Sequence, residues 1–254
     1  MKLIHFCFNS QHNRQHHATG GQLDHWSELP ELPHHLGLAT GGPVLVIVGG
    51  ASKMEAASLS RLQRVFTEII APLAQTLNAT VIDGGTDCGV MQLMGQARHE
   101  IAGTFPLIGV CAIGTVILPD GSPPPSDEAA ELEPHHSHFV LVPGDDWGAE
   151  SPWLAQLATQ FAQGAPHGTL VSNGGEITWQ DVHCSVAEQR PTWVFEGSGR
   201  TADQLAAALR GEESDPRAEP LVASGYLHRL VLSDDLNSVK TALDAHFTAL
   251  ESLQ

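Results

Sequence analysis

Residues 43–50, "PVLVIVGG", set the pattern that most of this chain repeats. The apolar residues run without interruption and end in two glycines, which is typical of a strand buried on both faces of a parallel sheet. Residues 55–77 then carry apolar side chains at helical spacing. A buried strand, a glycine turn and a helix in this order predict one βα unit.

The same unit recurs several times further along the chain. Strand patterns occur in "ATVIDGG" at 79–85, "PLIGVCAIG" at 106–114, "HFVLV" at 138–142, "GTLVSNGG" at 168–175 and "TWVFEGSG" at 192–199. "LHRLVL" at 227–232 predicts a further strand, and residues 234–252 predict a final amphipathic helix. The alternation predicts an α/β fold: a Rossmann-like, doubly wound, mostly parallel sheet with helices on both faces.

Residues 1–42 lack this regularity apart from a short strand pattern over residues 2–8. They hold seven of the fifteen histidines, at His5, His12, His16, His17, His25, His34 and His35. We therefore expect an irregular, His-rich N-terminal arm over residues 1–42 and a single Rossmann-like domain over residues 43–254. Scattered histidines in a polar arm are usually solvated, so we expect no metal there, although a metal-binding arm is an open alternative.

The charge of the chain narrows the classes of ligand. The formal net charge is −17, aromatic residues make up 6% and there is a single Tyr, so nucleic acid is not an expected partner. No Lys or Arg occurs between Arg98 and Arg190. An anionic ligand must therefore be bound mainly by backbone N–H groups and by a few cations, of which Lys53 and Arg200 stand beside predicted turns.

The cysteines and the apolar runs indicate in which cellular compartment the protein is expected. Cys7, Cys88, Cys111 and Cys184 form no CxxC pair and no zinc-binding spacing. No apolar run approaches the roughly 20 residues needed to span a bilayer, and the opening "MKLIHFCFNS" does not have the pattern of a signal peptide. We expect a cytoplasmic protein with free thiols and no membrane partner.

Glycines cluster at the ends of the predicted strands. The clusters are Gly49 with Gly50, Gly84 with Gly85, Gly109 with Gly114, Gly174 with Gly175, and Gly197 with Gly199. Successive βα turns gather at the carboxyl edge of such a sheet, where helix amino ends present unpaired N–H groups. Together the turns predict a cradle for a phosphate-bearing small molecule. None of them is a Walker loop or a full GxGxxG motif.

Polar side chains beside these turns complete the predicted site. Ser52, Thr86 and Thr178 offer hydroxyls, Lys53 a point charge and Arg200 a planar fork for phosphate. Gly114 and Glu176 lie in the same turns, and Asp83 or Asp87 could hold ribose hydroxyls. For Ser52 and Thr86, capping of the following helix is an equally good interpretation.

Six strings in the chain resemble a known family, in the same order. They are "VIVGGASK" at 46–53, "VIDGGTDCGVMQLMGQA" at 81–97, "LIGVCAIGTV" at 107–116, "LEPHHSHFVLV" at 132–142, "NGGEIT" at 173–178 and "EGSGRTADQLA" at 196–206. They resemble the SLOG (LSDAT) domain of the N-terminal region of TRPM channels, in its stand-alone prokaryotic form. The resemblance covers residues 43–209 and implies a Rossmann-like ligand sensor for ADP-ribose, a cyclic relative or another nucleotide, with no cofactor apart from that ligand.

Carried over motif by motif, the resemblance also implies a ligand shell. It comprises Gly49, Gly50, Ala51, Ser52, Gly84, Gly85, Thr86, Gly174, Gly175, Gly197, Ser198, Gly199 and Arg200. Because the sequence shows no channel segment, we do not expect gating to be its function. The acidic, Trp-containing stretch "PGDDWGAESPW" at 143–153 leaves the base and the distal sugar of the ligand unspecified.

The wider superfamily offers an enzyme as an alternative. Lonely Guy phosphoribohydrolases carry the motif PGGxGTxxE, and residues 173–181 read "NGGEITWQD". Asn173 replaces the proline, Ile177 replaces the third glycine, and Asp181 replaces the glutamate as a weak catalytic candidate. The spacing of Asp181 is typical of a solvated helix position, so binding without catalysis is the preferred prediction. A scaffold with a vestigial pocket is the third alternative.

Two further groups need an interpretation. His135, His136 and His138 are expected to fix loop structure, because a zinc site built from "HHSH" would need another ligand such as Asp145 or Asp146. Trp147 and Trp153 are expected to pack rather than to stack on a base. A homodimer through the amphipathic residues 234–252 is possible.

Overall fold

The computed structural model describes residues 1–9, 15–51, 53–233 and 235–248. The strands are β1 Lys2–Asn9, β2 Gln15–Gln22, β3 Val44–Gly49, β4 Thr80–Asp83, β5 Leu107–Ala112, β6 Val116–Ile117, β7 Ala130–Glu131, β8 His138–Val142, β9 His167–Ser172, β10 Thr192–Glu196 and β11 Leu227–Val231. The α-helices are α1 Leu32–His35, α2 Ala56–Arg64, α3 Ala71–Leu77, α4 Gly89–Glu100, α5 Ser151–Ala162, α6 Glu176–Ala187, α7 Arg200–Leu209, α8 Ala218–Ala223 and α9 Asn237–Thr248. A π-helical segment, Val65–Ile70, joins α2 to α3, and 3-10 turns lie at Trp26–Glu31 and Ile113–Thr115.

Nine strands form one sheet in the order β1-β2-β8-β5-β4-β3-β9-β10-β11. All neighbours pair in parallel except β1 and β2, which are antiparallel. The predicted Rossmann-like, mostly parallel α/β fold is confirmed. None of the helices among the described residues combines the length and the hydrophobicity that a membrane span requires.

Strand β3 shows why the apolar run at 44–48 is continuous. Val44, Val46 and Val48 pack into the apolar layer under α1, α5, α6, α7 and α8, whereas Leu45 and Ile47 pack into the layer under α2, α3, α4 and α9. Successive side chains of a strand point to opposite faces, so a strand covered on both sides needs apolar residues at every position.

The short strand predicted over residues 2–8 is present as β1, but the expectation of an irregular arm is wrong for β2. β2 pairs in parallel with β8, starting at Thr19 opposite His138, and β1 forms the edge beside it. The stretch "QHHATGGQ" lacks the pattern of a strand because the sheet here requires small residues. A Cβ at Gly20 would lie 2.4 Å from the Phe6 ring and 2.7 Å from the Phe139 carbonyl oxygen. Close backbone packing of this kind leaves no trace in β propensity.

Helix α9 covers one face of the sheet. Its apolar residues Val239, Leu243 and Phe247 are buried in the layer under α2, α3 and α4. The amphipathic pattern at 234–252 is therefore explained, over the described residues, by packing within the chain. A homodimer stays a prediction, but this apolar face is not available to form it.

The sheet fixes where a ligand site can form. From β3 the chain proceeds to β4, β5 and β8 on one side and later to β9, β10 and β11 on the other. The order reverses between β3 and β9, and the carboxyl ends of strands at such a reversal border a crevice.

Candidate functional site

A cavity of about 370 Å³ opens at the carboxyl ends of β3, β4 and β9. This volume lies within the usual range for small-molecule pockets. The cavity is lined by Ile47, Val48, Gly49, Gly50, Gly84, Thr86, Cys88, Met91, Trp147, Glu150, Leu154, Gly175, Glu176, Ile177, Thr178, Asp181 and Arg200. Six residues of the predicted ligand shell therefore meet around one space, together with Glu176, Thr178 and Asp181.

The turns after β3 and β9 touch main chain to main chain. The N–H of Gly50 donates to the carbonyl oxygen of Ser172 at 3.0 Å. Gly49 has φ +118°, and a Cβ there would lie 2.0 Å from the same oxygen. Only glycine fits at this position, because both the backbone angle and the neighbouring carbonyl exclude a side chain.

The turn after β9 is held in place by the turn after β10. The backbone N–H of Asn173 donates to Ser198 Oγ at 2.7 Å, and Asn173 Nδ2 donates to the Ser198 carbonyl at 2.8 Å. Within the turn, Gly174 N–H donates to Asn173 Oδ1 at 2.8 Å and Gly175 N–H donates to Thr178 Oγ1 at 3.1 Å. Buried Ser198 and Thr178 thus shape the cradle, and their hydroxyls are engaged within the protein.

Arg200 begins helix α7 and stands at the rim of the cradle. Its backbone has φ +51°, a conformation that costs a non-glycine residue free energy and that is often found at functional sites. A Cβ at Gly175 would lie 2.9 Å from Arg200 Nη2, so glycine lets the guanidinium lie against the turn. Arg200 also lines an adjoining cavity of about 360 Å³, which it shares with Lys53, Gly197, Ser198 and Gly199 among others.

Other predicted residues are placed less directly. Gly85 is buried, and a Cβ there would lie 2.7 Å from Gly109 Cα, so these glycines serve close packing between β4 and β5. Ala51 lies beside Gly89, where a Cβ would be 3.3 Å from the Ala51 backbone nitrogen. Gly114 donates its N–H to the Gly144 carbonyl at 2.9 Å and is not among the described residues that line the cavity.

The remaining predicted residues include two acids and one serine. Glu176 is exposed at the cavity rim and accepts a hydrogen bond from Arg217 Nη1 at 2.6 Å, forming a surface ion pair. Ser52 lies outside the described residues. Asp87 is exposed and accepts from Gln92 Nε2 at 3.0 Å.

Asp181 does not occupy a solvated position, and that expectation is wrong. Its side chain is half-buried at the cavity wall and accepts a hydrogen bond from Ser151 Oγ at 2.6 Å. The pKa of Asp181 is raised to about 7, mainly by burial of the carboxyl. The hydrogen bond from Ser151 lowers this pKa, and the charge of nearby Glu150 raises it. The carboxyl can therefore gain or lose a proton near neutral pH.

Glu150 is a cavity residue that the sequence did not reveal. Both its carboxylate oxygens accept the N–H of Gly148, at 3.1 and 3.0 Å, and burial raises the pKa of this acid as well. Glu150 stands directly before α5, where an acid reads as an ordinary helix-start residue. Trp147 lines the same cavity, whereas Trp153 stacks on Trp26 with ring centroids 3.5 Å apart and packs as expected.

Asp83 is not available to hold a ribose, so that prediction is wrong for Asp83 and stays a prediction for Asp87. It is fully buried, and its Oδ1 accepts the N–H of Gly85 at 2.8 Å and contacts His136 Nε2 at 2.8 Å. His136 Nδ1 contacts Glu133 Oε2 at 2.8 Å. Although burial opposes a charged ring, the carboxylates of Asp83 and Glu133 raise the pKa of His136 to about 9. His136 thus fixes loop structure and supports the turn at Gly85.

A zinc site made from "HHSH" with Asp145 or Asp146 does not form. His138 begins β8 and contacts Ser137 Oγ at 2.9 Å, whereas both aspartates follow the end of that strand. The length of β8 separates the two groups.

Comparison with known families decides the classification. The sequence profile of the family "SLOG in TRPM, prokaryote" matches residues 42–241. This chain belongs to the SLOG family. All the residues that line the cavity fall within the match, whereas β1 and β2 precede it. The match also extends beyond residue 209 and includes β11.

Three much longer relatives of this SLOG chain are channels of the transient receptor potential M subfamily. The chain is 28% identical over 211 residues to transient receptor potential cation channel subfamily M member 2 of Rattus norvegicus, covering 69% of this chain and 14% of the channel. It is 27% identical over 225 residues to the member-like 2 protein of Nematostella vectensis, covering 73% and 14%. It is 26% identical over 222 residues to member 6 of Homo sapiens, covering 75% and 10%. The SLOG chain therefore spans about a seventh or less of these relatives' length, and membership supports the broad class of nucleotide-sensing domains.

Proposed function

We propose that this chain is a sensor that binds a phosphate-bearing nucleotide at the carboxyl edge of its sheet. The observation that carries the proposal is the position of Arg200. Its guanidinium lies against Gly175, beside the amino end of α6, and borders two cavities of about 370 and 360 Å³. A planar cation beside a helix amino end is a strong arrangement for binding phosphate oxygens.

The pair of cavities favours a ligand with two parts joined by phosphates. The cavity at β3 is largely apolar, with Ile47, Met91 and Trp147 in its wall, and suits a base. The adjoining cavity has Lys53 and Asp203 in its wall and suits a sugar or a second phosphorylated group. A diphosphate beside Arg200 would connect the two. ADP-ribose or a cyclic relative has this chemistry, and the resemblance to the TRPM domain points to the same class.

The exchange of Arg200 for alanine tests the proposal. We expect the R200A variant to bind ADP-ribose about 10- to 150-fold more weakly, which corresponds to about 1.5–3 kcal/mol for a charge-assisted hydrogen bond. Isothermal titration with AMP, ADP, ADP-ribose and cyclic ADP-ribose measures both the preference and the loss. The R200K variant keeps the charge but loses the planar guanidinium, so its affinity for ADP-ribose should lie between those of wild type and R200A.

A matched control is R64A, since Arg64 is an exposed arginine on α2 that pairs with Glu68. Its affinity should equal that of wild type. An unchanged dissociation constant in R200A would remove Arg200 from the site, and no heat with any nucleotide from folded protein would overturn the proposal. A melting temperature unchanged by every nucleotide would favour the scaffold alternative.

A second function is supported by the environment of Asp181. A carboxyl with a pKa of about 7 at a cavity wall is suited to general acid catalysis at neutral pH. In N-glycosidic hydrolysis, water would attack C1′ of the ribose phosphate while Asp181 protonates the departing base. The products would be the free base and ribose 5-phosphate.

Chromatography of nucleoside monophosphates incubated with the protein distinguishes the two functions. Base release that disappears in D181N would establish hydrolysis. We expect binding without release, because Ile177 stands where the hydrolase motif has its third glycine. Release that persists in D181N would assign the reaction to another group.

A further inference from the structure

A third cavity, of about 320 Å³, lies at the opposite edge of the sheet from the nucleotide cradle. Its wall includes Ala102 and Gly103, which follow α4 and precede β5. A helix–strand connection of a parallel sheet lies at the amino edge, whereas the glycine turns lie at the carboxyl edge. This cavity is therefore separate from the proposed nucleotide site, and a ligand bound in it would be independent of the proposed function.

Three histidines from three distant parts of the chain meet in this wall. His16 is in β2, His99 is in the last turn of α4, and His135 is in the loop before β8. One ring nitrogen of each lies within 4.8 Å of those of the other two. The ring centroids of His99 and His135 are 4.4 Å apart, and the centroid of His16 is 5.2 Å from that of His135. This spacing allows three nitrogens to reach one ion.

A buried carboxylate already orients one of the three rings. His135 Nδ1 contacts Glu133 Oε1 at 2.6 Å, which leaves the Nε2 atom of that ring for an ion. The same glutamate accepts the backbone N–H of His135 at 2.9 Å and contacts His136 Nδ1 at 2.8 Å. A carboxylate on the far nitrogen is the usual outer partner of a metal-binding histidine, because it fixes the tautomer and the ring direction.

We propose that His16, His99 and His135 bind a single Zn²⁺ ion, with Glu133 as the outer partner of His135. Neutral imidazoles at this spacing suit zinc, and three protein ligands leave a fourth tetrahedral position for water from the cavity. The site differs from the metal-binding arm considered from composition, since only His16 belongs to residues 1–42. The proposal departs from the expectation, based on the composition of residues 1–42, that no metal binds there.

The surroundings are compatible with a cation. Arg98 also lines the cavity, but its guanidinium donates to the carbonyl oxygens of Phe105 and His135, at 3.0 Å each. Glu133 supplies a negative charge on the far side of the His135 ring from the proposed ion, and the formal net charge of the chain is −17. Folding brings the three ligands together, so zinc binding should stabilise the folded state over the unfolded state.

Zinc titration of chelator-treated protein against a chromophoric competitor tests the assignment, with native mass spectrometry for stoichiometry. Wild type should bind one Zn²⁺ per chain. The H99A and H16A variants should each lose at least as much affinity as the E133Q variant, for which we expect a loss of about 10- to 100-fold. His183, an exposed histidine on α6, provides the control, and H183A should bind zinc like wild type.

Two results would overturn the site. Equal zinc affinity in wild type, H99A and H16A would assign the binding to other histidines, and so would several weak equivalents in place of one. His99 is exposed, so H99A should keep the wild-type circular dichroism spectrum. If E133Q does not fold because its partner His136 is buried, the H99A and H16A titrations decide the question alone.

Discussion

A Gly49→Ala variant should lose at least about 3 kcal/mol of unfolding free energy, because a methyl group at this position would clash with neighbouring main chain. The Cβ would lie 2.0 Å from the Ser172 carbonyl oxygen, and the backbone at Gly49 has φ +118°. The oxygen belongs to β9 and accepts the N–H of Gly50, so it cannot move without breaking that contact. Urea denaturation of wild type and G49A measures the difference.

The neighbouring glycine supplies the control for this prediction. A Cβ at Gly50 would meet its nearest atom, the Gly174 nitrogen, at 3.8 Å, which is an ordinary contact. G50A should therefore fold with stability close to that of wild type. Because Gly50 lines the cavity, its methyl group should weaken nucleotide binding instead. A G49A protein as stable as G50A would show that the turns after β3 and β9 do not pack against each other.

Asp181→Asn should stabilise the protein at alkaline pH and change the pH dependence of its stability. Burial raises the pKa of Asp181 from its ordinary value of 3.8 to about 7, so the folded state binds more protons than the unfolded state between these values. The unfolding free energy of wild type therefore falls as the pH rises through this window. The shift corresponds to about 4 kcal/mol at most, since one pKa unit is about 1.4 kcal/mol.

The measurement compares the urea stability of wild type and D181N across the window. We expect D181N to be more stable by about 1–4 kcal/mol near pH 8, and the advantage to shrink toward pH 4. Asparagine keeps an acceptor for Ser151 and does not titrate. D145N, at an exposed aspartate in the loop after β8, should follow the wild-type curve. A constant difference between D181N and wild type at every pH would mean that Asp181 ionises normally.

Much of the architecture could be predicted because its signals are local. The run at 44–48 is apolar at every position because β3 is covered on both faces, and a helical period follows it at 55–77. Four of the five glycine clusters lie at strand ends, so their convergence at one edge follows from parallel topology alone, whereas Gly109 lies within β5. Strand β2 could not be predicted, because Gly20 serves close contacts with Phe6 of β1 and Phe139 of β8, and local sequence does not report contacts between strands.

Local pattern is enough to establish the repeated βα units, the edge where the turns collect and the family of the chain. The roles of individual polar groups at that edge depend instead on tertiary packing. The spacing of Asp181 along α6 predicts a surface residue. In the folded chain, Ser151 and Glu150 at the start of α5 lie against Asp181, and its carboxyl is desolvated. Likewise, His16, His99 and His135 are separated along the chain by more than 80 and 30 residues, and only the pairing of β2 with β8 beside α4 brings them together. Periodicity reports how a residue faces its own strand or helix, whereas charge state and ligand geometry depend on what the rest of the fold places opposite it.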